Sequence, residues 1–292
     1  MIRKNLHILV LAFLVLILIG IVACLWPLVS HGSKPSREFF DAHPHRLTLL
    51  TWNTHQMGQF QKPEKNEVLR YLTQQDADII CLQEVDVYKT DEFLTLSEVR
   101  ETLGRKYPYS YIDFAVYNKR RQFGNMVWSR YPLINKHTVE YEIRANLSSR
   151  CDVVVNASDT LRLIVNHLES NRLDKNDTTA ESIGRKWGKA SLRRHAQSQV
   201  VRHEIDRSPY PVIVVGDFND IALSPTYFII RRGLHDAWLE TSWFAWGATC
   251  EKWGMGLRID YILSSQSLTP IECSVPQTTG SDHRPVVATL AW

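Results

Sequence analysis

PVIVVGDFND, residues 211–220, is the stretch from which the rest of the chain can be read. Val212, Ile213, Val214 and Val215 are four consecutive β-branched aliphatics, the pattern of a short strand buried on both faces. Gly216 ends the run. Asp217 and Asn219 then stand at i and i+2, which in an extended chain puts both side chains on one side and turns Phe218 to the other. A carboxylate and an amide at the mouth of a core strand are costly to bury without partners. The segment is therefore either an Asx-capped turn or the floor of a catalytic site, and the remaining sequence has to choose.

The chain has 292 residues, 44% of them hydrophobic and 22% charged, enough for one substantial core or two small ones and too little charge for general disorder. Lysine and arginine number 34 against 31 acidic residues, and Arg3 and Lys4 precede the first apolar run, so the body is close to neutral. That balance argues against a dedicated duplex-DNA binder, which carries a basic surplus.

Ile8 to Trp26 is apolar almost throughout and follows Arg3 and Lys4. About 20 such residues cross a bilayer as a helix. Residues 1–30 are accordingly expected to be an uncleaved single-pass membrane anchor, with the body on the extracytoplasmic side by the charge bias. Cleavage as a signal peptide is disfavoured by the length of the run. Lipid attachment at Cys24 is the alternative, since Ile21-Val22-Ala23-Cys24 resembles a lipobox. Residues 31–46, polar and containing Pro35 and Pro44, are expected to be a linker, and 47–292 a catalytic domain acting as a monomer. Five cysteines without CxxC spacing make neither a disulfide scaffold nor a zinc site.

Within the body, strands are expected at 47–52, 79–82, 109–115, 125–129, 138–143, 152–156, 161–167, 212–215, 258–263 and 286–290. Helices are expected from Pro63 to Gln74, Asp91 to Leu103, Ala190 to Ile205, and briefly after Ser224-Pro225. Strands mixed with a few helices suggest an α/β (α+β) architecture of two packed sheets with helices outside.

The apolar strands repeatedly end in an acid, an amide or an imidazole: Asn53, Glu84, His167, Asp217 with Asn219, and Asp282-His283 before the last strand. Asp260 interrupts an otherwise apolar run. Taken singly, a strand-end Asp or Asn is usually a turn cap and a buried His is usually a satisfied core residue. Recurring together, they have to find partners, and the simplest partners are one another and a metal.

With these residues in hand, the chain resembles the endonuclease/exonuclease/phosphatase (deoxyribonuclease I-like) superfamily. The matching pieces, in order, are LLTWNTH, DIICLQEVD, FGNMVWSRYPL, LIVNHLES, VIVVGDFND, RIDYILSS and GSDHRPV. The resemblance implies a four-layer sandwich, two mixed β-sheets flanked by helices. It implies hydrolysis of a phosphate ester, most simply a phosphodiester, by in-line attack of water assisted by Mg²⁺ or Mn²⁺. Glu84 matches the main metal ligand, and Asn53 and Asp282 match positions that hold or orient the metal. Asp217 and Asn219 match the pair at the attacking water and the phosphate oxygens. His167 matches a phosphate-contacting position, and Asp260 the carboxylate partner of His283. Asp217 is the preferred base, with His283 as an electrostatic clamp. His55 stands where some relatives carry a carboxylate, and a neutral imidazole there would favour Mn²⁺ over Mg²⁺.

Two stretches bear on substrate. Arg185, Lys186, Lys189, Arg193 and Arg194 form a basic cluster that could meet phosphates, Arg185, Lys186 and Lys189 being the substrate-binding candidates, or could simply be a solvated helix face. Trp238, Trp243, Phe244, Trp246 and Trp253 could be a stacking rim or core. Nucleic acid, a nucleotide and a phospholipid headgroup are all admissible substrates. A non-catalytic member of the same fold, binding phosphates or a partner, is the alternative.

Overall fold

The computed structural model describes residues 13–20, 32, 35–57, 62–90, 92–141, 146–171, 178–242, 246–252 and 254–292. In chain order these form helix α1 (Arg37–Ala42), strand β1 (Arg46–Asn53), helix α2 (Glu67–Gln74), β2 (Ile79–Tyr88), α3 (Leu96–Gly104), β3 (Tyr109–Tyr117), β4 (Arg121–Ser129), β5 (Leu133–Val139), β6 (Ser148–Val154) and β7 (Thr160–His167). There follow α4 (Ala180–Asp206), β8 (Val212–Asp217), α5 (Pro225–Arg231), β9 (Leu234–Asp236), α6 (Ala237–Thr241), β10 (Cys250–Lys252), β11 (Met255–Leu257), β12 (Asp260–Ser265), β13 (Thr269–Ser274) and β14 (Val286–Ala291).

Two six-stranded sheets carry the fold, in the orders β13-β14-β1-β2-β4-β3 and β5-β6-β7-β8-β12-β9. Strand alternation builds the layers. Leu47, Leu49, Ile213 and Val215 point between the sheets into one apolar cluster. Leu50 and Trp52 point outward onto Val68, Leu69 and Leu72 of α2 and Val99 of α3. Val212 and Val214 point outward onto Val201 and Ile205 of α4 and Tyr227 of α5. The result is helix, sheet, sheet, helix, as expected, and the Val212–Val215 run is buried on both faces.

Both sheets are mixed. β1–β2 and β7–β8 are parallel, each pair joined by a crossover helix, and the other ladders are antiparallel. In both parallel pairs the carboxyl ends meet at the same end of the sandwich, so Asn53, His167 and Asp217 finish their strands side by side. β12 runs back along β8 with Asp260 opposite Asp217.

Several elements differ from expectation. α3 starts at Leu96 rather than Asp91, because Thr95 and Glu98 form a capping box that fixes its first turn. α4 starts at Ala180, ten residues before the expected Ala190, capped by Thr179 and passing through Gly184 and Gly188. β2 runs through Glu84 to Tyr88, with a register irregularity against β4 between Leu82 and Val85. β5 and β6 lie several residues earlier than expected, at 133–139 and 148–154. The linker contains α1, capped by Ser36. Cys81, Cys151, Cys250 and Cys273 are free thiols. The anchor expected over residues 1–30 lies mostly outside the described residues; 13–20 are helical, and among the described residues no helix is long and apolar enough to cross a membrane.

Gly216 is fixed by geometry. Its φ is +115°, and a Cβ there would collide with the backbone of Asn166 on the parallel neighbour β7. Gly188, on α4, has open space where a Cβ would go. Gly216→Ala should therefore lower stability by about 2 kcal/mol or more. Gly188→Ala should leave stability unchanged or raise it by up to about 1 kcal/mol. Urea unfolding of the two variants beside the parent measures both.

Candidate active site

The strand ends open onto a cleft of about 880 Å³ at the carboxyl edge of both parallel pairs. One sheet supplies Glu84, His55 and Phe123, the other His167, Asp217 and Asn219, with Asp282 and His283 arriving on the segment before β14.

Glu84 sits at the irregularity in β2 with φ +51°. His55 (φ +44°), Gln56 (φ +59°) and Asn219 (φ +51°) share that unusual left-handed backbone. Of the five described non-glycine residues with positive φ, four line this cleft, where backbone strain aims side chains that regular strands would point elsewhere.

Asn53 joins the two sheets: its Nδ2 donates to Glu84 Oε1 at 3.1 Å and to Asp217 Oδ2 at 2.9 Å. Asp217 also accepts the Asn219 backbone N–H (2.7 Å) and side-chain Nδ2 (3.1 Å), and Asn219 Nδ2 reaches the Leu168 carbonyl at 3.1 Å. His283 Nδ1 pairs with Asp260 Oδ2 at 2.9 Å, and its Nε2 stands 4.0 Å from Asp217 Oδ2. His167 Nε2 lies 3.3 Å from Glu84 Oε1, an ion-pair contact outside hydrogen-bond geometry, and this buried nitrogen makes no other polar contact among the described residues. The Asx geometry foreseen at Asp217 is present, yet as part of this network.

Charges follow from these contacts. Burial pushes the Glu84 carboxyl up, but His167, Asn53 and His283 outweigh it and hold it at about 2. Burial disfavours the His283 imidazolium, but Asp260 and Asp217 overcome that and lift it well above its ordinary 6.5. Burial and the neighbouring Asp260 charge raise Asp217 above 3.8, against the pull of His283, His167 and Asn53. His55 is raised by its hydrogen bond to Asp282, whose Oδ1 lies 3.1 Å from His55 Nδ1. His55 is thus paired with Asp282, a contact that favours its protonated form.

The donor set fits a hard divalent cation. Glu84 is ionised, and among the described residues no hydrogen bond reaches its Oε2. Asp282 lines the same cleft and repels Glu84, a repulsion that a cation would relieve. Asp217, Asp260 and His283 also come within ligand distance of one another, but they are buried and already engaged among themselves.

The structure brings together Asn53, Glu84, His167, Asp217, Asn219, Asp260, Asp282 and His283. Arg185, Lys186 and Lys189 are on the first turns of α4 and are not among the described residues lining the cleft; Arg185 pairs with Glu181 at 3.2 Å. Arg194 is buried, donating to Asp220 Oδ2 (3.0 Å), the Glu169 carbonyl (3.0 Å) and Asn171 Oδ1 (2.9 Å). It ties the loop after β7 to the loop after β8, which positions His167 and Asn219. Its alignment with Ala190, Gln197 and Val201 at helical spacing was the available signal. Thr249 was not foreseen either: its Oγ1 accepts the Ile259 and Asp260 backbone N–H groups at 3.1 and 3.2 Å. Of the aromatic stretch, Trp238 packs under Gly247 and Trp246 is exposed; Trp243, Phe244 and Trp253 lie outside the described residues.

The endonuclease/exonuclease/phosphatase family model matches residues 50–283. Among solved structures, an endonuclease/exonuclease/phosphatase from Beutenbergia cavernae is 18% identical with a TM-score of 0.61, over 84% of this chain and 71% of that one. A family protein from Leptotrichia buccalis is 16% identical with a TM-score of 0.60, over 84% and 100%. A Neisseria 3′ phosphatase, NExo, bound to a product DNA hairpin, is 18% identical with a TM-score of 0.60, over 84% and 100%. No curated protein sequence matches. The cleft, the two mixed sheets and the matched span lead to one conclusion: the chain belongs to the endonuclease/exonuclease/phosphatase family.

Proposed function

We propose that this chain is a Mg²⁺- or Mn²⁺-dependent phosphodiesterase that hydrolyses its ester by in-line attack of water. The observation that carries this reading is the convergence of Glu84 and His167 with the buried Asp217–Asp260–His283 group across one cleft. Family membership and the NExo likeness support a phosphate ester as substrate.

Glu84 would hold the cation, with Asn53 and Asp282 beside it. A bound Mg²⁺ or Mn²⁺ supplies Lewis-acid polarisation of a phosphoryl oxygen. His283 keeps its proton at neutral pH because Asp260 and Asp217 hold it as imidazolium, so it is a poor base and a good partner for phosphate charge. That leaves Asp217, whose carboxyl burial raises, to take the proton of the attacking water. Asn219 Nδ2 spends its two hydrogens on Asp217 Oδ2 and the Leu168 carbonyl, so its part is to orient the Asp217 base, and it would reach a phosphate oxygen only by exchanging one of these bonds. His167, whose protonated form Glu84 and Asp217 favour, offers a second donor through Nε2. The apolar run Ile8–Trp26 supports, on sequence grounds alone, a tether that keeps the catalytic body on the extracytoplasmic side of a membrane.

Four outcomes are expected. Bis-p-nitrophenyl phosphate should be hydrolysed with Mg²⁺ or Mn²⁺ and left intact in EDTA; turnover that survives EDTA refutes the metal-assisted mechanism. Glu84→Gln should raise the metal concentration needed for half-maximal activity, while Asp217→Asn should cut kcat by about 10²-fold or more with metal affinity retained; near-normal turnover in Asp217→Asn would remove Asp217 from the role of base. Reporter fusions after residue 45 should be active only outside the cytoplasm, and cytoplasmic activity alone reverses the proposed topology.

A further inference from the structure

Beside its polar floor, the cleft has apolar walls that the hydrolytic chemistry leaves unexplained. On one sheet, Val116 and Phe123 are cross-strand partners at the end of the β3–β4 ladder. Their pairing depends on Gly124. A Cβ at 124 would collide with the Asp113 carbonyl, and the β3 register shifts between Phe114 and Val116 directly beside it. The irregularity brings Val116 opposite Phe123, and both face the cleft. Phe123 meets the His167 ring edge-on at 6.5 Å between centroids, which sets its ring beside a residue of the phosphate-facing floor. Leu257 on β11, Ile259 just before β12 and Ile221 in the loop after β8 add apolar lining to the same cleft. Ile221 is 43% exposed, immediately after the Asp217–Asp220 loop.

The charges point the same way. Arg121 is the one described Arg or Lys that lines the cleft, and it is engaged: its Nη1 donates to the buried Asp86 Oδ2 at 3.1 Å and its guanidinium lies 5.8 Å from the Phe123 ring centroid. The other basic groups of the cleft are His55, His167 and His283, each paired with or facing a carboxylate. The carboxylates Glu84, Asp217, Asp220 and Asp282 line the same space. A ligand with several phosphates would meet these carboxylates with no free arginine or lysine among the described lining residues to offset them. A ligand with one phosphate and a flat apolar group would place the phosphate on the floor and the ring against the apolar lining beside it.

The geometry points to Phe123, paired with Val116 and sharing the cleft with Ile221, as the specificity-determining wall of this cleft, selecting monophosphate esters that carry a flat aromatic group close to the phosphate and rejecting polyphosphorylated ligands. A nucleobase and a simple aryl alcohol share that chemistry. The inference rests on the proposed function in taking the polar floor as the phosphate site.

Binding tests it without requiring turnover. Calorimetric titrations of the full chain in mild detergent with Mn²⁺ would use methylphosphonate, phenylphosphonate, glycerol 2-phosphate, thymidine 5′-monophosphate and inositol 1,4,5-trisphosphate. Phenylphosphonate should bind about tenfold tighter than methylphosphonate, and the trisphosphate no tighter than methylphosphonate. Thymidine 5′-monophosphate matching phenylphosphonate identifies a nucleobase as an accepted ring; affinity no better than that of glycerol 2-phosphate restricts the ring to one bonded directly at the phosphate. Phe123→Ala should bring phenylphosphonate to the level of methylphosphonate while moving the latter by less than about twofold, and Phe123→Tyr should keep the preference. Ile221→Ser, at an exposed position, should lower the preference at least about threefold and serves if Phe123→Ala does not fold. Equal affinities for the two phosphonates, a uniform loss in Phe123→Ala, or tight trisphosphate binding overturns the inference while the hydrolytic reading stands. Failure of every ligand to bind, together with no hydrolysis of bis-p-nitrophenyl phosphate, overturns both.

Discussion

Two carboxylates buried on adjacent strands set the terms for the rest of this molecule. Asp217 and Asp260 face each other across the β8–β12 ladder, each about 1% exposed. Side by side in a low-dielectric core, two negative charges are untenable without a cation. His283 provides it, and it reaches them from the segment that leads into β14 of the opposite sheet. Its backbone carbonyl is in turn held by Trp52 Nε1 at 2.9 Å, and its N–H by Ser281 Oγ at 3.0 Å. The cation that makes the carboxylate pair possible is therefore also a strut between the sheets. Asn53 makes the second crossing, from β1 to Asp217 on β8, while also holding Glu84 on its own sheet.

Much of this was legible in the chain. Runs such as Val212–Val215 and Ile79–Leu82 announce strands through composition alone, and polar side chains at their ends announce an edge with chemistry. The positions that escaped did so for physical reasons. The first half of α4 has no apolar period and two glycines, so nothing local favours a helix; the Thr179 cap and the packing of its later turns fix it. The β2 strand continues past Leu82 because β4 pairs with it beyond the irregularity, which no local pattern encodes. Arg194 reads as one more surface charge in a basic run, yet three carbonyl or carboxylate oxygens draw it inside. The cleft walls are ordinary hydrophobic residues, and sequence does not distinguish an apolar side chain facing a substrate from one facing the core.

The His55–Asp282 pair shows how a contact changes the meaning of a residue. In sequence His55 stands where some relatives carry a carboxylate; in the structure Asp282 is its partner and favours its protonated form. When protonated, an imidazole donates and does not ligate, and its effect on a nearby ion then passes through the carboxylate it holds. Arg194 works in the same indirect manner on the opposite side of the cleft, by fixing the loops that carry His167 and Asn219.

The floor of the cleft straddles the seam between two sheets, and this gives the hydrocarbon core a second duty. Glu84 rides on one sheet and Asp217 on the other, so the gap between them is set by how thickly Leu49, Val127, Leu163 and Val215 fill the space behind. Close packing makes that thickness stiff. The interior aliphatics thus act as a spacer gauge for the polar edge, while the loops at the rim remain free to vary without disturbing the gap.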